Sequence, residues 1–302
     1  MTMRDAGLRP SSAPRSPLDQ RFDLPGPADS SLSALGELDS RLAPILSGAA
    51  RLERLPGALR LSMGPARSRA YTNAQLDDYH RLRPRDFPWR PPLLLRVRAR
   101  ASHPAWPATP GAPASDAPGH LRGTAGFGFW NASPSISGGP LLPPEAIWFF
   151  AASPPSNMAL TPGIPGYGWK AQTVHVRRPG ALAAVPPMAA AALWASVSGD
   201  ERPAARWLNR LTNAHESPLD FQTASLRDWH DYEIEWRADA ARFRVDGREV
   251  LTVSTPPRGP LGFVTWIDNQ YAIATPRGRL RFGALNTEEQ WLELASFSIQ
   301  PR

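Results

Sequence analysis

The sequence predicts an all-β protein, a sandwich of two antiparallel sheets, and three observations lead to this fold class. Tyr232, Ile234 and Trp236 alternate with acidic residues, which is the period of a strand with one buried face. Asp246 and Gly247 follow a second alternating run and match a two-residue hairpin turn, because both central positions of that turn need a positive φ. The 302 residues also include 35 prolines and 23 glycines, a density typical of short strands joined by turns.

The first part of the chain is predicted to lie outside the sandwich. Residues 1–44 are poor in apolar residues and rich in Pro and Ser, so we expect a disordered or loosely ordered segment. Residues 45–302 then form one sandwich domain, a size that is routine for a single all-β domain. Its first hairpin is predicted within residues 52–63, where leucines recur on both sides of a Pro56-Gly57 turn.

The remaining elements are predicted from apolar or alternating runs. Strands are expected at 93–101, 123–131, 145–151, 169–176, 232–237, 242–246, 249–254, 261–267, 279–283 and 291–299, with 71–79 as either a strand or a loop. The proline-rich residues 104–118 are expected to form a surface loop. Residues 187–213 break the β pattern, and Trp207, Leu208 and Leu211 recur there at helical spacing. They predict a small helical insertion packed on the sandwich or, alternatively, a lid or membrane-touching helix.

The composition of the chain excludes several kinds of partner and site. The formal charge is +7, and Lys170 is the one lysine among 34 basic residues. Arginines such as Arg96, Arg98 and Arg100 lie along a predicted strand, where alternation places them on a solvent face, and no nucleic-acid-binding motif accompanies them. We therefore expect no nucleic acid partner. The absence of cysteine excludes disulfides, thiolate metal sites and a cysteine nucleophile. We expect no metal site and no cofactor, and a structural calcium ion stays an open alternative.

The stretch from Asp228 to Gly247 is similar to a known family. The pattern D-F-H-x-Y-x-x-x-W…F-x-V-D-G is matched at Asp228, His230, Tyr232, Trp236, Phe243, Val245, Asp246 and Gly247. The chain resembles the family 16 glycoside hydrolases, the laminarinases, lichenases and carrageenases of the concanavalin A-like lectin/glucanase fold, and more weakly so over residues 45–302. The resemblance implies a β-jelly-roll with a small helical insertion, whose concave face binds a polysaccharide or oligosaccharide.

The catalytic acids of that family are not preserved. Retaining glycosidases need two carboxyl groups roughly 5–5.5 Å apart, and the family supplies them as E-x-D-x-x-E or E-x-D-x-E on one strand. The corresponding strand keeps Glu145, but Ile147 and then Phe149 or Phe150 stand where the other acids belong. Isoleucine and phenylalanine cannot transfer protons. The leading hypothesis is therefore a carbohydrate-active protein that binds a glycan and has lost catalysis.

The candidate ligand-binding residues combine aromatic rings with planar polar groups, a pairing that suits sugars. Trp266, Asp268 and Gln270 are predicted to share one face by the period of two. The full set, in strands that the resemblance assigns to the concave sheet, is Trp130, Asn131, Trp148, Trp169, Trp266, Asp268, Asn269 and Gln270.

Two alternatives stay open. Glu145, Asp268 and His230 could form a rebuilt catalytic site in an active glycosidase or lyase, provided that the fold brings them together. A binding module for an apolar or aromatic small molecule is favoured instead if the cleft is short of polar groups, or if the helices of residues 187–213 close it.

The sequence predicts a cytoplasmic location. Residues 1–31 contain no continuous apolar run of the kind that a signal peptide needs, and no later stretch approaches the length of a membrane span. Secretion stays open as an alternative, because most polysaccharide substrates lie outside the cell.

Overall fold

The computed structural model describes residues 16–22, 39–108, 119–132, 143–158, 160–176, 202–219, 225–274 and 280–302. These residues form one α-helix, α1 (Arg202–Thr212), and a 3₁₀ turn at Pro84–Asp86. Their strands are β1 (Leu18–Arg21), β2 (Ala43–Ser47), β3 (Ala50–Leu55), β4 (Ala58–Met63), β5 (Asn73–Asp77), β6 (Leu93–Ala101), β7 (Thr124–Trp130), β8 (Glu145–Ala152), β9 (Asn157–Met158), β10 (Gly168–His175), β11 (His215–Pro218), β12 (His230–Trp236), β13 (Ala241–Val245), β14 (Arg248–Val253), β15 (Gly262–Asp268), β16 (Gln270–Ala274), β17 (Leu280–Ala284) and β18 (Gln290–Pro301).

Two large antiparallel sheets face each other, which confirms the predicted all-β sandwich. The first sheet has the order β14-β13-β12-β6-β18-β4-β3, and β1 also pairs with β18. The second sheet has the order β11-β10-β8-β7-β15-β5-β2. A small sheet, β17-β16-β9, lies apart from both, and its β9–β16 pair is parallel. Strand β15 pairs with β7 and with β5, both far from it in the sequence, so distant segments together build the faces of this sheet.

The core between the two large sheets is strongly aromatic. Tyr232 of the first sheet lies 5.1 Å from Phe127 and 5.0 Å from Phe149 of the second, measured between ring centroids. Phe243 also contacts Phe149, at 5.5 Å. All four side chains are at most 1% exposed. Each large apolar side chain buried in this way contributes roughly 1.5–3 kcal/mol to the stability of the fold.

The hairpin predicted from Asp246 and Gly247 is present. These two residues join β13 to β14 and have φ values of 49° and 78°, as a type I′ turn requires. On the neighbouring strand β12, Tyr232 pairs with Val245 in the antiparallel register. Asp246 also accepts a hydrogen bond from the backbone N–H of Asp231 at 2.9 Å, which attaches the turn to β12. The alternation read from the sequence therefore gives the correct buried face.

The outer face of the first sheet carries paired charges. Arg96 contacts Glu233 at 2.7 Å, and Arg98 contacts Asp231 at 2.8 Å across the β6–β12 pair. These arginines are about half exposed and already hold acidic partners, as expected for a solvated strand face. Within the described residues, no helix is long and apolar enough to cross a membrane.

Some elements differ from the sequence predictions. Residues 18–22 fall within the segment predicted to be loosely ordered, yet Leu18 and Phe22 are buried and β1 pairs with β18. A four-residue strand has too few alternating positions to stand out from its surroundings. The sequence does not predict strands β2, β9, β11 and β16 either, and β9 and β11 have only two and four residues.

The helical insertion is described only in part. Helix α1 lies within the predicted residues 187–213, and residues 187–201 lie outside the described part of the chain. Most of the loop predicted at 104–118 lies outside it as well, since residues 109–118 are not described.

The aromatic core predicts unequal costs for two phenylalanine substitutions on strands. Phe149→Ala is expected to lower the free energy of unfolding by about 3–5 kcal/mol, because it leaves a cavity among four rings. Phe282→Ala, at a side chain that is 50% exposed, is expected to cost far less. Urea denaturation of both variants measures the difference, and equal costs would contradict this assignment of the core.

Candidate ligand-binding site

The outer face of the second sheet, here called the site face, holds the candidate site. Along β8, Ile147 and Phe149 point into the core, so Trp148 and Phe150 point outward. By the same alternation Trp266 of β15 points outward, and it packs with them in one aromatic cluster that also contains Trp130. Four aromatic residues from three adjacent strands therefore meet on this face.

The rings of this cluster are closely packed. Trp148 stacks on Phe150 at 5.4 Å and also contacts Trp266 at 5.2 Å. Glycine makes room for them on β7: a Cβ atom at Gly126 would lie 3.0 Å from the Trp266 ring, and one at Gly128 would lie 2.6 Å from the Cβ of Trp148. Trp148 and Phe150 remain partly exposed, so the cluster presents an aromatic surface to whatever covers it.

A buried polar row lies beside the aromatic cluster. Trp148, Gln172 and Glu216 stand in register across β8, β10 and β11. Trp148 Nε1 donates to Gln172 Oε1 at 2.6 Å, and Gln172 Nε2 donates to Glu216 Oε1 at 2.7 Å. Lys170 Nζ donates to the same Glu216 oxygen at 3.0 Å and to the carbonyl of Pro165. Burial lowers the pKa of Lys170, and the neighbouring Glu216 opposes that shift.

A cavity of about 310 Å³ lies on the site face. The sheet side of its wall is formed by Trp148, Phe150, Ala152, Val174, Lys170 and Gln172, among others. Leu208 and Thr212 of α1, together with Ala272 and Phe282 of the small sheet, cover it from the opposite side. The helix predicted from the sequence therefore closes part of this cavity.

Most polar groups that line the cavity already have partners within the protein. Thr124 Oγ1 donates to Asp268 at 2.7 Å and accepts from Trp266 Nε1 at 2.9 Å. Thr212 Oγ1 donates to the carbonyl of Leu208 at 3.0 Å. Gln172 is used at both ends of its amide by the polar row. Over the described residues, the cavity therefore offers a ligand mainly apolar and aromatic contacts.

The three candidate catalytic residues are not brought together. Asp268 pairs with Thr124, and Thr124 pairs with Ala152, seven residues along β8 from Glu145. At about 3.3 Å per residue this separates Glu145 from Asp268 by roughly 23 Å along the strand. His230 lies on the other sheet, where its Nδ1 is 2.6 Å from Asp246. The strand register therefore does not bring Glu145, Asp268 and His230 together.

Glu145 lies at one end of the cavity. It shares the inward alternation of Ile147 and Phe149, and its Oε1 lies 3.9 Å from His175 Nε2 at the end of the strand. As the first residue of β8 it nevertheless lines the cavity. The outward positions of β8 are Ala146, Trp148, Phe150 and Ala152, none of which carries a carboxylate. Glu145 is therefore the one acid that this strand brings to the cavity.

Asp268 is buried beneath the site. Its carboxylate accepts hydrogen bonds from the Thr124 hydroxyl, the Gln270 backbone N–H at 3.1 Å and the Tyr71 hydroxyl at 3.2 Å. Burial raises the pKa of Asp268 to about 7, although these hydrogen bonds oppose the shift. The group therefore connects β15 to β7 and to the start of β16.

The predicted ligand-binding residues divide into two groups. Trp130, Trp148 and Gln270 line the cavity, and Trp266 and Asp268 lie next to it. The side chains of the other three are not among those that line the cavity, and they make contacts within the fold. Trp169 is 1% exposed and lies in the core, and Asn131 bonds Pro143 and Glu145 across a loop. The side chain of Asn269 bonds four backbone groups of two neighbouring segments, those of Arg67, Ala70, Thr72 and Leu285.

Sequence reasoning missed several residues that build the site. Gln172 and Glu216 form the polar row, and Leu208 of α1 covers the cavity. Polar residues within the apolar β10 strand were an available signal, since buried polar groups need partners. Glu216 had no such signal, because its strand has only four residues. Within the described ranges, no group of three or more His, Asp or Glu residues could hold a metal ion.

No protein-family model matches the chain, and no curated protein matches it. Solved structures similar to it include an endo-acting O-glycanase of human gut microbiota described in connection with mucin breakdown, at 10% identity and a TM-score of 0.49, covering 94% of this chain and 98% of that chain. A lichenase from a mouse hindgut metagenome has 13% identity, a TM-score of 0.45 and coverage of 95% and 100%. The laminarinase catalytic domain from Thermotoga maritima has 10% identity, a TM-score of 0.46 and coverage of 94% and 96%.

The names of these similar structures describe carbohydrate-active enzymes, and two of them belong to the enzyme groups that the 228–247 stretch resembles. The fold class follows from the paired strands of the chain itself, and the function has to be argued from the site.

The buried Asp268 predicts a pH dependence of stability. An acid whose pKa is higher in the folded than in the unfolded state adds stability below its unfolded pKa of 3.8, and this contribution is lost as the pH rises toward 7. Asp268→Asn is expected to remove up to about 4 kcal/mol of that decline. Burial also raises the pKa of Asp78 to about 7, so the decline in stability that Asp78 causes remains in this variant.

Chemical denaturation across this pH range, with the exposed Asp239→Asn as a control, measures the change in slope. An unchanged slope in Asp268→Asn would show that the carboxylate is ionised throughout in the folded protein.

The separated acids predict that the protein does not cleave polysaccharides. No reducing ends are expected from β-glucans, galactans or glycogen with the wild type, Glu145→Gln or Asp268→Asn, because Glu145 and Asp268 lie too far apart to act together on one bond. Release by the wild type that disappears in either variant would contradict the separation derived from the register.

Proposed function

We propose that this protein binds, without cleaving it, a small molecule with an apolar or aromatic face in the cavity on the site face. The observation that carries this proposal is the partly closed cavity of about 310 Å³, which is covered by α1 and the small sheet. Its size lies at the lower end of the roughly 300–1,000 Å³ typical of small-molecule sites. An open groove along the sheet, which a long polysaccharide would need, does not match this covering.

The wall chemistry supports the same ligand class. Trp148, Phe150 and Val174 supply apolar surface, whereas Thr124, Gln172 and Thr212 are held in hydrogen bonds within the protein. A ligand that buries about 150 Å² of apolar surface there gains roughly 4 kcal/mol from burial alone. A glycan would have to leave most of its hydroxyl groups unpaired or break these internal bonds, and unpaired buried polar groups are costly.

A glycan is the second candidate, and one observation favours it. The rings of Trp130 and Trp148 remain partly exposed, and flat indole faces stack well against the C–H faces of sugars. A terminal sugar with few polar contacts would fit this arrangement better than an internal segment of a long chain.

Titration calorimetry distinguishes the two candidates. Cinnamyl alcohol serves as an apolar aromatic probe and laminarihexaose as a glycan probe. Trp148→Ala is expected to weaken binding of cinnamyl alcohol about tenfold or more, because the ring forms part of the wall. Trp291→Ala, which removes a tryptophan that stacks on Arg60 outside the cavity, is expected to leave the affinity unchanged.

Each result has a defined meaning. Binding of cinnamyl alcohol that Trp148→Ala weakens supports the proposal. Binding of laminarihexaose alone, weakened by the same variant, overturns it in favour of the glycan. The proposal is also overturned if neither probe binds, or if Trp148→Ala and Trp291→Ala lose affinity equally. Circular dichroism of each variant checks that the fold is intact.

A further inference from the structure

Lys170 has an unusual position for a lysine. Its side chain is 1% exposed, it is the one lysine of the chain, and it lines the cavity on the site face. It projects from β10 next to Phe150 of the paired strand β8. Lysine is among the residues least often fully buried, so this position needs an explanation.

Glu216 provides the balancing charge. Its Oε1 accepts from Lys170 Nζ at 3.0 Å, and its side chain is 0% exposed. Its second oxygen, Oε2, is buried and has no hydrogen-bond partner among the described residues. Lys170 Nζ bonds Glu216 and the carbonyl of Pro165, which leaves one of its three N–H groups without an assigned partner. The pair therefore retains unused hydrogen-bonding capacity at the edge of an otherwise apolar cavity.

A purely structural ion pair would not require lysine. Every other basic side chain of the Lys and Arg type in the sequence is arginine, including those that pair with buried Glu293. Arginine keeps its charge under all ordinary conditions, whereas a buried lysine can lose its proton and act as a nucleophile. The lowered pKa of Lys170 is consistent with that chemistry.

We propose that Lys170 binds the ligand covalently, as an imine with an aldehyde whose apolar or aromatic body occupies the cavity. This inference rests on the proposed function of that cavity. The lysine ammonium first gives a proton to Glu216, and its nitrogen then attacks the carbonyl carbon. The resulting carbinolamine loses the former carbonyl oxygen as water. Overall, one aldehyde and one ammonium give one protonated imine and one water.

The surroundings suit the product. The protonated imine carries the same single positive charge as the original ammonium, so Glu216 remains its counter-ion. Unused Glu216 Oε2 can accept the proton that the amine gives up and return it as water leaves. The apolar walls of Trp148, Phe150 and Val174 limit the access of water, which would otherwise hydrolyse the imine.

Reductive trapping tests the inference. The full-length protein is incubated with trans-cinnamaldehyde and sodium cyanoborohydride, which reduces an imine to a stable amine. We expect one adduct by intact-mass measurement, located at Lys170 by peptide mapping. Lys170→Arg, which keeps the charge but lacks the nucleophile, is expected to lose that adduct, and a melting curve checks its fold.

An added surface lysine provides an internal comparison. In Arg258→Lys, at an exposed position, the introduced lysine is expected to react about tenfold or more slowly than Lys170, because an exposed amine stays almost fully protonated at neutral pH. Equal rates at the two lysines, or an adduct at the N-terminal amine alone, would overturn the proposal.

Cinnamyl alcohol separates this inference from the proposed function. It has the same skeleton as the aldehyde but no carbonyl group. Calorimetric binding of the alcohol without trapping of the aldehyde at Lys170 overturns the imine and leaves the binding function standing. If the alcohol does not bind and the aldehyde is not trapped, both the imine and the binding function on which it rests are overturned.

Discussion

The aromatic core between the two sheets determines where every outward-facing residue of the second sheet lies. Phe127, Phe149 and Tyr232 are fully or almost fully buried, and their rings contact one another across the sandwich. Because side chains alternate along a strand, burying Phe149 forces Trp148 and Phe150 onto the opposite face. A shift of one residue in the register would exchange the core for the site, so the same packing that stabilises the fold also positions the candidate site.

The polar row shows how register brings together groups that lie far apart in the sequence. Gln172 and Glu216 are 44 residues apart, yet their strands pair directly and their side chains meet at 2.7 Å. Each member of the row holds the next one in a single orientation, from the Trp148 indole to the Lys170 ammonium. Buried charges persist only when paired and hydrogen-bonded, so the row also fixes β11 at the edge of the sheet.

Because of the same alternation, one set of residues builds the fold and another set faces the site. The 228–247 stretch resembles a family of polysaccharide-cleaving enzymes, and the paired strands build a sandwich as that resemblance implies. On β8, however, the outward positions carry aromatic and small residues, and Glu145 lies at the end of the strand beside His175. A fold can be retained while its reactive groups are replaced, because stability depends on the inward residues and chemistry on the outward ones.

The sequence by itself determined the sandwich and the Asp246-Gly247 turn, because alternation and turn chemistry are local properties. It also placed Trp266 and Asp268 on one face. Only the tertiary structure decided that Trp169 lies in the core, that Asn269 bonds backbone groups, and that Glu145 and Asp268 lie far apart along the sheet. These outcomes depend on strand order and register, which arise from contacts between distant segments. The covering of the cavity by α1, and the meeting of Lys170 with Glu216, have the same origin.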